Sequence, residues 1–198
     1  MGKRLSGRTV VPILLLVVLI LTDRTRVVLL TLLAALLHEC GHLLAAKLMR
    51  IPMRGVRFDL LGVRLEIGGR MLSYGEEWLL AAAGPLTSLL CAAVAALAWR
   101  VSLLFQIFSC ASVVLGALNL LPIRTFDGGR MLECCLTAFW GVRVAQRGLA
   151  VTSVTFLFLV WAVSVYFLLR AGDGLALFCF SLSLFLRYFD GSKHGALS

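Results

Sequence analysis

Residues His38-Glu39-Cys40-Gly41-His42 put two imidazoles and a carboxylate within five positions, the HExxH spacing. On a helix, positions i and i+4 lie one turn apart on the same face, so His38 and His42 can aim their rings at one point. Imidazole nitrogen is a preferred ligand of Zn2+, and a pair at this spacing suits one such ion per chain. Glu39 would then stand beside the metal as an acid-base group for a water molecule. The chemistry this combination serves best is hydrolysis. Leu36, Leu37, Leu43 and Leu44 surround the motif, and the chain has 3 histidines, two of which are here. Ionisable groups inside an apolar helix cost on the order of several kcal/mol together, which is why they usually mark a functional site. An interhelical polar network without metal is the alternative use of such a cluster.

A catalytic zinc usually has three protein ligands and one open position, so a third ligand must come from another segment at similar depth. The elements decide which. Of the 198 residues 61% are hydrophobic and 15% charged, and mean hydropathy is +0.98, too apolar for a water-soluble domain of this length. The bilayer is the expected solvent. Runs with few charges predict about six transmembrane helices, at approximately 10–22, 27–47, 78–99, 101–121, 148–169 and 175–186. The first and last are short and span only with snorkelling flanks or local thinning of the bilayer.

With six crossings and a cytoplasmic N-terminus, only Arg24, Arg26, Arg100 and Arg170 of the 19 Lys and Arg fall outside, the asymmetry of the positive-inside rule. Topology thus accounts for most of the formal net charge of +9, and no basic stripe remains for nucleic acid. The N-terminal basic and apolar stretch has no small-residue cleavage site and is expected to be an uncleaved anchor. From Arg54 to Glu77, Val56, Phe58 and Leu60, then Val63, Leu65 and Ile67, alternate with polar residues, predicting a short β-hairpin at the cytoplasmic interface or in a protein-lined cavity. The six cysteines lack metal-binding spacing and are read as small buried apolar residues. The expected fold is an all-α polytopic membrane protein with this hairpin between helices 2 and 3, a single membrane-embedded domain over 1–198 with its core at 27–135.

Within that frame the best third ligand follows the fourth helix. In Asn119-Leu120-Leu121-Pro122-Ile123-Arg124-Thr125-Phe126-Asp127-Gly128-Gly129, proline and two glycines break regular helix geometry around an acid. Both this stretch and His42 fall toward the cytoplasmic side. Glu133 is a weaker competitor. Glu76 and Glu77 precede a helix whose N-terminal end favours them, and Asp59 and Glu66 read as solvated hairpin residues.

HExxH in one membrane helix with NxxPxxxxDG in a later one resembles the site-2 protease family of zinc intramembrane metalloproteases. The resemblance covers residues 27 to about 135. It implies that His38, His42 and Asp127 ligate one Zn2+, that Glu39 is the catalytic glutamate, and that Asn119 and Pro122 shape the substrate site. Ala83-Gly84-Pro85 also resembles a family feature, although the family often has asparagine three residues after the proline, where this chain has Ser88. The arrangement is most similar to the bacterial sporulation branch, which processes a sigma-factor precursor. The stretch after Leu186 is expected to hold neither that branch's CBS domain nor a PDZ domain.

The expectation is therefore a zinc endopeptidase cutting in or near a transmembrane segment of a membrane-protein substrate, as in regulated intramembrane proteolysis. It would sit in a bacterial cytoplasmic membrane with its active-site side cytoplasmic, open to an inhibitory or regulatory membrane partner. The hairpin could hold an extended substrate as an added strand. A metal transporter should carry further polar residues along its other helices, where this chain has few beyond Asn119. A non-catalytic membrane assembly factor is the other rival. Serine-nucleophile chemistry lacks a GxSxG elbow, and neither histidine has a serine partner by motif.

Overall fold

A computed structural model describes residues 23, 26–51, 53–59, 62–67, 71–171 and 175–195. Among these the elements run α1 (Val27–Leu48), β1 (Met53–Asp59), β2 (Gly62–Ile67), α2 (Tyr74–Leu97), α3 (Leu103–Asn119), α4 (Asp127–Trp140), α5 (Val142–Ala171) and α6 (Leu175–Gly195). They divide into two compact units. One comprises the described residues of Met1–Met71 and Ala83–Ala117, the other those of Leu72–Ala82 and Leu118–Ser198.

α1, α2 and residues Val142–Arg170 of α5 are long and apolar enough to cross a membrane. α3 and Leu177–Leu186 within α6 are apolar but shorter. At 1.5 Å per residue α3 reaches only about 25 Å against a hydrocarbon core of about 30 Å. Three helices therefore satisfy the length requirement among the described residues, those expected at 101–121 and 175–186 correspond to the two shorter apolar helices, and the one expected at 10–22 lies outside the described residues. Leu36 and Leu44 are 60% and 58% exposed on the flank of α1 away from its buried residues. A face so apolar and so open is one that lipid, not water, solvates.

Local signals set the ends of α1. The Val28 N–H donates to Asp23 Oδ2 at 2.6 Å, satisfying an amide that a helix start leaves without an intrahelical acceptor. At the other end Ile51 N–H donates to Ala46 O at 2.9 Å and Arg50 N–H to Lys47 O at 3.1 Å, the paired bonds of a Schellman ending. Arg50 takes the left-handed position usually given to glycine, with φ 52°. β1 and β2 then pair antiparallel, Val56 opposite Leu65 and Phe58 opposite Val63, with an irregularity between Met53 and Gly55. They occupy the first part of the segment 54–77; its last residues open α2 instead.

α2 starts at Tyr74, four residues before the apolar run begins at Trp78. Ser73 Oγ accepts from Glu76 N–H at 3.3 Å while Glu76 Oε2 accepts from Ser73 N–H at 2.9 Å, a capping box that extends the helix into polar sequence. Glu76 and Glu77 thus lie inside the first turn rather than ahead of the helix. α4 was not expected as a helix at all. Its amphipathic sequence carries Arg130 and Glu133, so it is no apolar run, and Gly141 at φ 82° separates it from α5.

In the second unit Ile123, Leu157 and Leu184 form a buried cluster, with Leu121, Phe126, Phe156 and Val160 packed against it. α5 and α6 are also joined by a hydrogen bond between the buried hydroxyls of Ser164 and Ser181 at 3.0 Å. The cysteines are free, but not uniformly buried: Cys134 is buried, Cys91 and Cys135 are intermediate, and Cys40, Cys110 and Cys179 are exposed. In an apolar helix the sequence alone does not separate a lipid-facing position from a protein-facing one.

Candidate metal centre

The buried residues of α1 are Ala34, His38, Gly41, His42 and Ala46, one face at helical spacing. His38 and His42 are 4% and 9% exposed, so both rings are removed from bulk solvent. Their centroids are 5.0 Å apart with planes at 82°, an edge-on arrangement. Glu39, one residue on, is partly buried beside this face.

Glycines let α2 come close enough to meet that face. A Cβ at Gly41 would overlap Thr87 Oγ1 and lie 2.8 Å from Ala83 O. A Cβ at Gly84 would overlap His42 Nε2 and lie 2.6 Å from His42 Cε1 and 2.7 Å from His38 Nε2. Both Nε2 atoms therefore point to the small space that the missing side chain of Gly84 leaves. Two imidazole nitrogens converging on one spot are what a shared cation needs, and what two neutral rings packed for burial alone have no reason to do. On the far side of its ring, His38 Nδ1 lies 2.9 Å from Ser88 Oγ.

His38 thus has a serine partner that no sequence motif signals. It does not make a serine nucleophile: Ser88 is 1% exposed, so its oxygen has no open path to a substrate carbonyl. The Oγ fixes the ring instead.

The other expected residues belong to the second unit. α3 ends at Asn119, and Leu121 N–H donates to Leu118 O at 3.1 Å as the chain turns through the partly buried Pro122. Ile123 N–H then bonds Leu121 O at 2.7 Å and Phe126 N–H bonds Ile123 O at 2.8 Å, while Arg124 N–H donates to Ser153 Oγ at 2.9 Å. This compact turn delivers Asp127 to the first turn of α4, where the positive end of the helix favours a carboxylate. Gly128 and Gly129 make the fold-back possible. A Cβ on Gly128 would overlap Leu120 O and lie 2.8 Å from Leu121 O, and one on Gly129 would overlap Ile123 O. The two glycines are thus required by close backbone approach.

Asp127, in the second unit, is partly buried; the donors the chain offers are the two imidazoles of His38 and His42 and this one carboxylate. That donor set suits Zn2+. Near the start of the same helix Arg130 Nη2 and Glu77 Oε1 are 3.5 Å apart, a pair exposed enough to add only about 0–1 kcal/mol. Burial, reinforced by the Glu77 carboxylate, pushes the Cys134 thiol up from 9.0 to about 11.

Residues 91–163 match the family described as Peptidase family M50. The matched stretch takes in Asn119, Pro122 and Asp127 and does not reach His38, Glu39 or His42. No curated protein matches the chain. Among solved structures it is similar to the site-2 protease from Methanocaldococcus jannaschii, with a TM-score of 0.62 and 19% identity over 91% of this chain and 86% of that one. At that identity the likeness is one of fold. The chain is thus similar to Peptidase family M50 over residues 91–163 and, in fold, to a site-2 protease.

Proposed function

We propose that the chain is a zinc-dependent intramembrane endopeptidase that hydrolyses a peptide bond in or near a transmembrane segment of a membrane-protein substrate. The observation that carries this reading is the convergence of His38 Nε2 and His42 Nε2 on the space beside Gly84, with Glu39 next in sequence. His38, His42 and Asp127 would hold one Zn2+ per chain. Zinc held there supplies Lewis acidity, lowering the pKa of a water toward about 7 and polarising the scissile carbonyl.

Glu39 would take the proton from the attacking water as the carbon–oxygen bond forms, and would then pass it to the amine nitrogen, which leaves as the carbon–nitrogen bond breaks. Ser88 keeps the His38 ring oriented. The close fit of α2 against His38 and His42 restricts water on that side. Asn119 and Pro122, in the turn that leads to Asp127, shape the substrate site in this reading. A helical substrate hides its carbonyls in backbone hydrogen bonds, and the β1–β2 pair offers strand edges on which an unwound segment can be held extended.

The enzyme would act in a bacterial cytoplasmic membrane with the active site toward the cytoplasm, in regulated proteolysis that an inhibitory membrane partner could hold in check. A sigma-factor precursor is the substrate that the sequence resemblance suggests. The experiment is reconstitution with a candidate membrane substrate, reading cleavage and bound zinc for the wild type and Glu39→Gln.

A further inference from the structure

We infer that Ser88 is a positioning residue for zinc ligation: it holds the His38 ring in the orientation and tautomer in which Nε2 can bind metal. The inference rests on the metal site proposed above.

An imidazole that ligates through Nε2 must carry its proton on Nδ1. His38 Nε2 is the nitrogen on the Gly84 side, where His42 Nε2 also points. Its Nδ1 is 2.9 Å from Ser88 Oγ, across 50 residues of sequence. In the ligating form the Nδ1–H donates and the Ser88 oxygen accepts. The opposite tautomer reverses this bond and puts a proton on Nε2, which closes that nitrogen to metal. Removing the oxygen leaves an Nδ1–H buried without its acceptor whenever the ring ligates through Nε2, so ligation itself becomes less favourable.

Ser88 is well placed to impose this. It is 1% exposed, and α3 backs it closely: a Cβ on Gly116 would lie 3.2 Å from Ser88 Cβ. The hydroxyl is therefore carried by a part of α2 that has little room to shift. The family that the sequence resembles often has asparagine at this position; the contact that Ser88 makes in the structure is to His38.

The test is zinc affinity, measured by chelator competition on the purified full chain in detergent, for wild type, Ser88→Ala and Ser109→Ala. Ser109 is the control, because it too is buried and its hydroxyl donates to Ala92 O at 2.9 Å, between α3 and α2 and not to a histidine. Ser88→Ala should weaken zinc binding about 10–100-fold, the usual effect of losing a partner of a metal-bound histidine, while Ser109→Ala leaves it unchanged. Should Ser88→Ala not fold, Ser88→Cys, with a somewhat larger side chain that is a poorer acceptor, is read the same way. Zinc affinity within twofold of wild type would overturn the role of Ser88, as would an equal loss in Ser109→Ala. A wild-type protein without measurable zinc affinity would overturn the metal site and this role with it.

Discussion

Gly84→Ala separates the stability of α2 from the geometry of the histidines. In a helix interior alanine is favoured over glycine by about 1 kcal/mol, so the substitution strengthens the helix taken by itself. The added Cβ, however, would overlap His42 Nε2 and lie 2.6 Å from His42 Cε1 and 2.7 Å from His38 Nε2. Ordinary carbon contacts begin near 3.5 Å, so the His42 ring must retreat by roughly 1 Å or α2 must move off α1 by a similar amount. Metal–ligand distances tolerate only about 0.2 Å, so a displacement of that size exceeds the tolerance several-fold. His38 has little freedom to compensate, since Ser88 holds its opposite edge. Zinc affinity should therefore fall by at least about 100-fold, beyond the loss of a supporting hydrogen bond. The assay is chelator competition in detergent, paired with thermal unfolding of the zinc-free protein to show that the fold survives. A folded Gly84→Ala protein with wild-type zinc affinity would refute the claim that the two Nε2 atoms meet beside Gly84.

Gly128→Ala should destabilise the chain by roughly 2–4 kcal/mol, because its Cβ meets backbone carbonyls that have no rotamer to escape into; thermal unfolding that matches wild type would contradict the turn as described. Cys134, with its pKa pushed up to about 11, should resist alkylation at neutral pH, while its rate rises steeply as the pH climbs toward that value. The sign for stability follows: the unfolded thiol ionises near 9.0 and the folded one does not until about 11, so the fold loses stability between those values and none below them. Alkylation and unfolding of the Cys134→Ala protein across this pH range supply the comparison, and an unchanged pH profile would remove Cys134 as the cause.

The HExxH pair was legible because its geometry is local: four residues along a helix determine which face both rings share. Asp127 was legible as an acid amid helix-breaking residues, but the reason for Gly128 and Gly129 is a close approach to the Leu120 and Ile123 carbonyls, visible only in the fold. Two misses had signals in the sequence. Ser73 and Glu76 have the spacing of a capping box and would have started α2 near Tyr74. Met131, Leu132, Cys135, Leu136 and Phe139 carry the helical period of α4, hidden from a search for uncharged runs by Arg130 and Glu133. Ser88 had no such signal for its partner. Its contact with His38 depends on how two helices pack at Gly41 and Gly84, and nothing in the spacing of residues 50 apart encodes that.

The central claim is that His38 and His42 hold zinc for peptide hydrolysis with Glu39 moving the proton. It is tested most directly by reconstituting wild type and Glu39→Gln with one candidate membrane substrate, then measuring zinc per chain and product masses from the same preparation. Retained zinc with cleavage lowered at least about 100-fold in Glu39→Gln, against clean cleavage by the wild type, is the expected result. Cleavage that persists in Glu39→Gln would contradict it, and so would metal flux through the reconstituted membrane that survives the substitution with no cleavage by either protein.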